Sequence, residues 1–364
     1  MNKHPPPSER FPELDWMRGV AALAVVGFHY LYKGPKEGWM HVTEMPFLAD
    51  LARYGYLGVH LFFMISGYVI LLTAQHATLR GFLASRVSRL APALWVCVLL
   101  TALIEWLIPA SPFQPEGWGQ ILANLTLFPG LFGHQAIDGA YWSLAVELTF
   151  YFWVGVCVAL GQMHRIELLI KILLLLSLVN IVRPAYPLQL YLCVQWAPLF
   201  SAGAIFFLAK QSGWNTSRRW MISVCVVLAS VYAWREAGPI TQMADVASFN
   251  QGANRLVVVA IVMVFFALFL WITRGNNGRP TAGSDLAGRL TYPLYLIHQN
   301  AGYALFNLAA STALVTLVGQ TAVISVLIIL AIAAAWGIHS VAERPIATWL
   351  RLSLNRKAVR QAAR

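Results

Sequence analysis

His29 stands inside the run DWMRGVAALAVVGFHY, with Arg18 eleven residues before it. That spacing is about three helical turns, so both side chains fall on one face, roughly 16 Å apart along the axis. Imidazole is the side chain best matched to taking a proton from a hydroxyl near neutral pH; a histidine satisfied by a backbone carbonyl is the bland alternative. Ser66-Gly67 lies in FFMISGYVI, where glycine lets backbones approach and serine bonds across helices. Arg86-Val-Ser-Arg89 sets two arginines one turn apart, just before the run RLAPALW. Such a pair grips phosphate through charge-assisted, bidentate bonds, with lipid headgroups as the rival partner. Glu147 in YWSLAVELTFYF needs a proton, a partner or a wet cavity at its depth, and Trp142 and Ser143 beside it suit a hydroxylated, sugar-like ligand. In RLTYPLYLIH, Tyr292, Tyr295 and His298 recur every third residue, enough to line a pocket. Glu343 closes the last apolar run in ERP, where pairing with a local arginine is the simpler reading.

The elements that carry these residues are apolar. Of the 364 residues, 59% are hydrophobic and 11% charged, against roughly 25% charged in a soluble domain. An ionisable group near the centre of a membrane helix costs at least about 2.5–3.5 kcal/mol, so each needs a reason to be there. Stretches of about 20 apolar residues are expected near 16–32, 54–74, 91–109, 139–161, 166–183, 188–209, 219–235, 253–273, 290–313 and 317–341. The fold expected is therefore an all-α polytopic membrane bundle of about ten helices. A flexible lead over 1–12 and a basic tail over 346–364 flank the membrane domain over 13–345. With the N-terminus in the cytoplasm, only Lys33, Lys36, Arg53, Arg183, Arg235 and Arg255 of the 26 basic residues fall outside, in accord with the positive-inside rule. Both termini are then cytoplasmic. The first span reads as retained rather than as a cleaved leader, because Arg18 and His29 interrupt it. The loop 110–138 lacks Lys and Arg and carries Trp118, Phe128 and Phe132, which suits the outer interface. Only about twenty residues follow Pro345, so no appended soluble domain is expected.

The net charge of +11 is dispersed over short loops, which speaks for anionic lipid and against nucleic acid. Cys97, Cys157, Cys193 and Cys225 show no metal-ligand spacing and read as apolar fillers, and no metal is expected. Counted along alternating spans, His29, Ser66, Glu147 and His298 all come near the middle of the membrane, which they share only if the helices surround one polar cavity.

Arg18…His29, FFMISGY, Arg86-Val-Ser-Arg89, YWSLAVE, YPLYLIH and ERP follow one another in order over residues 13–345. In this the chain resembles the acyltransferase-3 family of bacterial integral-membrane O-acyltransferases. The resemblance implies transfer of an acyl group, usually acetyl, from cytoplasmic acyl-coenzyme A to a hydroxyl, commonly on O-antigen lipopolysaccharide, exopolysaccharide or peptidoglycan at the inner membrane. It implies His29 as base, Arg18 as its functional partner, and Arg86 and Arg89 as contacts for coenzyme A, with Ser66 and Gly67 beside the donor. Glu147 and His298 would join the catalytic set, and Trp142, Ser143, Tyr292 and Tyr295 the acceptor set. Direct transfer with His29 as base is the expected mechanism, with a covalent acyl-enzyme through Ser66 or Ser143 as the rival. Arg18 or His298 is expected to stabilise the oxyanion. A transporter or flippase of a polar or glycolipid substrate is the alternative from another class, since midplane His, Glu and Arg suit proton coupling; the absence of a visible repeat counts against it. The acceptor's identity and the oligomeric state are not legible in the sequence.

Overall fold

The computed structural model describes residues 11–42, 45–109, 111–242, 248–275 and 279–350, with Ser353. The lead over 1–12 and the basic tail over 346–364 lie largely outside the described residues. Among the described residues the structure is helical, with no strand. The long helices are α1 (Pro12–Phe28), α2 (Gly58–Ala74), α3 (Leu79–Leu107), α4 (Trp142–Ala159), α5 (Ile166–Val182), α6 (Ala197–Ser212), α7 (Thr216–Gln242), α8 (Ser248–Arg274), α9 (Ala282–Ile297), α10 (Gln299–Ala310) and α11 (Gln320–Gly337).

Seven helical stretches among the described residues are long and apolar enough to cross a membrane: Pro46–Ala74, Leu79–Leu107, Gly139–Ala159, Tyr186–Ser212, Thr216–Gly238, Asn254–Arg274 and Gln320–Leu350. This is fewer than the ten expected, and each shortfall has a local cause. α1 begins with Glu13, Asp15 and Arg18, α5 has only 17 residues, and the ninth expected span is broken at His298 into α9 and α10. Leu103, Phe152, Leu175, Val264 and Ile329 stand about half or more exposed on outward faces. In water each would forgo about 1.5–3 kcal/mol of burial, whereas lipid tails meet them at no such cost.

α3 begins twelve residues earlier than its apolar run suggests. Thr78 caps it by accepting the N–H of Gly81 at 3.2 Å, and the helix continues for 29 residues through Pro92. At 1.5 Å per residue its length is about 43 Å, against a hydrocarbon core of about 30 Å. Arg86 and Arg89 are thus helical residues and not part of a preceding loop. Packing fixes the rest of the frame. α2 and α6 approach so closely that a Cβ on Gly67 would meet the carbonyl of Phe200, and one on Gly203 that of Met64. α1 packs along α9, and the Tyr30 hydroxyl reaches over to donate to the carbonyl of His298 at 2.6 Å. The loop before α4 folds around Asn124, whose amide donates to the carbonyls of Gln120 and Gln135 and accepts from Ile137 N–H. Trp118, Phe128 and Phe132 point outward from that loop.

Candidate active site

The end of the bundle where α1 starts is called the near end, and the end where α1 finishes the far end. A cavity at the near end is lined by Arg18 of α1, Ser66 of α2, Arg86 and Arg89 of α3, Ser143, Glu147 and Tyr151 of α4, and Tyr292 and Tyr295 of α9. The Glu147 carboxylate accepts hydrogen bonds from the hydroxyls of Ser66 and of Tyr151, one turn further along α4. Arg18 pairs with Asp15 at 3.4 Å. Arg86 is buried, donates to Ser85 Oγ at 3.0 Å, and lies 5.7 Å from the centre of the Tyr151 ring. Its Nε is also buried and meets no acceptor among the described residues. A buried donor left unmatched costs about 1–3 kcal/mol, more when charged. Three guanidinium groups and the Glu147 carboxylate line this cavity, with Asp15 paired to one of the three, Arg18. Tyr292 donates to the Leu90 carbonyl at 3.1 Å, and the Tyr295 hydroxyl lies 2.7 Å from Ser143 Oγ and 3.0 Å from the Ala140 carbonyl.

The far end holds a second cavity, lined by His29 and Lys33, by Tyr56, Val59 and His60 at the start of α2, by Trp142 at the start of α4, and by Glu236 and Tyr295. Val59 and Tyr295 line both cavities, so these two side chains stand in the wall between them. At His29 the α-helix widens into a π-turn over His29–Lys33, a local unwinding often found at functional positions. His29 Nδ1 lies 2.8 Å from His298 Nε2. His298, fully buried, sits in the break between α9 and α10, with its Nδ1 3.2 Å from the Leu294 carbonyl and 2.9 Å from that of Tyr295. The carboxylate of Asp138 stabilises this break by accepting the N–H of Asn300 at 2.9 Å, in the first turn of α10.

The protons of the two rings follow from their partners. Carbonyl oxygens only accept, so His298 Nδ1 carries hydrogen and, in the neutral ring, its Nε2 is a lone pair. His29 Nδ1 must then donate to that lone pair, which leaves the lone pair of the neutral His29 ring on Nε2. Both nitrogens of His298 are thereby engaged; His29 Nε2 has no hydrogen-bond partner among the described residues.

The structure thus groups the sequence candidates in two places instead of one polar cavity. Arg18, Ser66, Arg86, Arg89, Ser143, Glu147 and Tyr292 line the first cavity, His29 and Trp142 the second, and Tyr295 both. Gly67 lines neither and instead lets α2 pack on α6. Glu343 bonds to His339 Nδ1 at 2.9 Å, one turn earlier on its own helix, and to no arginine among the described residues. Two far-end residues escaped the sequence reading. His60 Nε2 lies 2.9 Å from Glu236 Oε2. A histidine in an apolar span was a usable signal for His60, but nothing local ties it to Glu236, 176 residues away.

The acyltransferase-3 family model, described as an acyltransferase domain, matches residues 11–339. The chain belongs to that family and is a multi-pass membrane protein. Among its relatives are the peptidoglycan O-acetyltransferase OatA of Listeria monocytogenes, 25% identical over 276 residues, and the O-acetyl transferase of Shigella phage Sf6, 28% identical over 285. These alignments cover 70% and 72% of this chain; they span 39% of the Listeria protein and 77% of the phage protein. The acyltransferase MdmB of Streptomyces mycarofaciens is 26% identical over 163 residues, 40% of this chain and 39% of that protein. No solved structure matches the chain.

Proposed function

We propose that this protein moves an acyl group, acetyl in the simplest case, from acyl-coenzyme A to a hydroxyl of a cell-surface glycan or glycolipid. In this reading the near end faces the cytoplasm, the far end faces outward, and the membrane is the bacterial inner membrane. The observation that carries it is the His29–His298 pair, which leaves His29 Nε2 as the basic nitrogen beside a wall shared by two cavities. The near-end arginines suit the phosphates of coenzyme A, and the names of the Listeria and phage relatives suit a glycan acceptor.

The acceptor hydroxyl enters from the far end and gives its proton to His29 Nε2 as its oxygen attacks the thioester carbon. His298 holds the His29 ring through Nδ1–H and so fixes which nitrogen acts. The tetrahedral adduct collapses with cleavage of the carbon–sulfur bond, and His29 Nε2–H returns the proton to the departing thiolate. Atoms balance without a covalent enzyme intermediate. Arg18 stands with the phosphate-binding arginines, about three turns from His29, so its part is donor binding. Proton-coupled transport is the weaker reading, because the near-end cavity concentrates cations where a donor's phosphates would sit.

The test uses purified protein in lipid nanodiscs, given acetyl-coenzyme A and a cell-envelope glycan extract. Free thiol should appear in step with new O-acetyl ester. Protein that binds acetyl-coenzyme A yet yields neither product overturns the assignment.

A further inference from the structure

The two cavities differ in charge and lining. The near-end one collects three arginines. The far-end one balances Lys33 with Glu236 and adds a histidine beside His29, the Tyr56 ring and the partly exposed face of Trp142. Its open volume is about 160 Å³, which leaves room for a small polar ring. A phosphate-bearing headgroup would find one ammonium and an opposing carboxylate there, which is a poor match. A neutral ring carrying several hydroxyls finds an indole to lie against and a carboxylate to accept from.

Glu236 is held for such a role. Its Oε2 lies 2.9 Å from His60 Nε2, and its side chain is 29% exposed while that of His60 is 4% exposed. His60 is itself fixed edge-on to Trp196, with ring centres 5.3 Å apart, and against Tyr56 at 6.0 Å. Trp196 also contacts Trp142 at 5.5 Å, so the carboxylate and the indole platform share one aromatic support. His60 Nδ1 and the Tyr56 hydroxyl are buried without a partner among the described residues. Both atoms are closed off from the cavity, so the group of this cluster that a ligand reaches is the Glu236 carboxylate. Tyr56 and Lys33 line the same cavity as Glu236 and His60.

We propose that the far-end cavity is the acceptor subsite, that it takes one neutral, hydroxyl-rich sugar ring lying on Trp142, and that Glu236, positioned by His60, accepts from hydroxyls beside the one presented to His29. The identity of the reaction rests on the acyl-transfer reading above; binding of the ring does not depend on it.

The experiment therefore reads binding and turnover separately. Saturation-transfer NMR in nanodiscs would use methyl glucoside and the methyl glycoside of N-acetylglucosamine as probes, with acetyl-coenzyme A affinity measured in parallel. Wild type should transfer saturation to at least one glycoside. Trp142→Ala and Glu236→Gln should weaken that binding tenfold or more with donor affinity unchanged, and His60→Gln should fall between them and wild type. Absence of transfer to any glycoside by wild type, or equal binding by Trp142→Ala and Glu236→Gln, overturns the proposal. Glycoside binding without thiol release by wild type would sink the acyl-transfer reading and leave the subsite standing.

Discussion

Replacing His298 with alanine tests the chain of hydrogen bonds that orders the proposed active site. The 2.8 Å bond from His29 Nδ1 is then lost, and a buried N–H without an acceptor costs about 1–3 kcal/mol. The working tautomer then pays this penalty while the other, with its hydrogen on Nε2, does not, so the active share and kcat fall by roughly 5- to 150-fold. Loss of the base itself, in His29→Ala, removes general-base catalysis, worth about 10²–10⁴-fold. The order of severity should therefore be His29→Ala worse than His298→Ala, with KM for acetyl-coenzyme A unmoved in both. Because the two residues act as a unit, the double variant should be no slower than His29→Ala alone. His298→Gln, which returns an acceptor oxygen, should recover part of the loss. The assay is thiol release under saturating glycan, on variants matched for monodispersity in size-exclusion chromatography. Additive losses in the double variant, or His298→Ala as inactive as a His29→Ala that still turns over, would refute the tautomer argument and transfer the base to His298.

Arg86→Ala and Arg89→Ala should each weaken acetyl-coenzyme A binding by about 1.5–3 kcal/mol, the worth of a hydrogen bond to a charged group, and the pair should be non-additive; calorimetric titration reads both. Gly67→Ala should lower thermal stability without touching donor affinity, since its Cβ would strike the Phe200 carbonyl and push α2 from α6; a selective loss of donor binding would return Gly67 to the cavity. Reporter fusions near 80, 165 and 215 should report the cytoplasm and one near 120 the outside, with a cytoplasmic signal at 120 reversing the orientation.

How far the sequence was readable varies by residue, for physical reasons. His29, Glu147 and His298 announced themselves because ionisable groups are costly in apolar runs. Which nitrogen of which histidine is free was hidden, since the carbonyls of Leu294 and Tyr295 decide it and backbone carbonyls carry no sequence signature. The start of α3 was masked because Arg80, Arg86 and Arg89 interrupt its apolar count, although Thr78 was a visible cap. Equal depth was legible for Ser66 and Glu147, which do bond. Depth alone did not place His29 in a different cavity from Ser66, because it carries no information on the angle at which a side chain leaves its helix. His60 and Glu236 meet only in the folded chain, where α2 and α7 bring them together.

The wall formed by Val59 and Tyr295 has an electrical consequence. Carrying one elementary charge through 100 mV takes about 2.3 kcal/mol, and a whole acyl-coenzyme A would bring several phosphate charges with it. On the proposed mechanism, with the nucleotide retained by Arg86 and Arg89, only the acyl fragment changes sides, and the proton surrendered by the acceptor travels the other way to the thiol. The exchange is electroneutral, acyl outward for proton inward. Acylation at saturating donor should therefore run at the same rate in vesicles held at any membrane voltage, and collapsing that voltage with an ionophore should leave it unchanged.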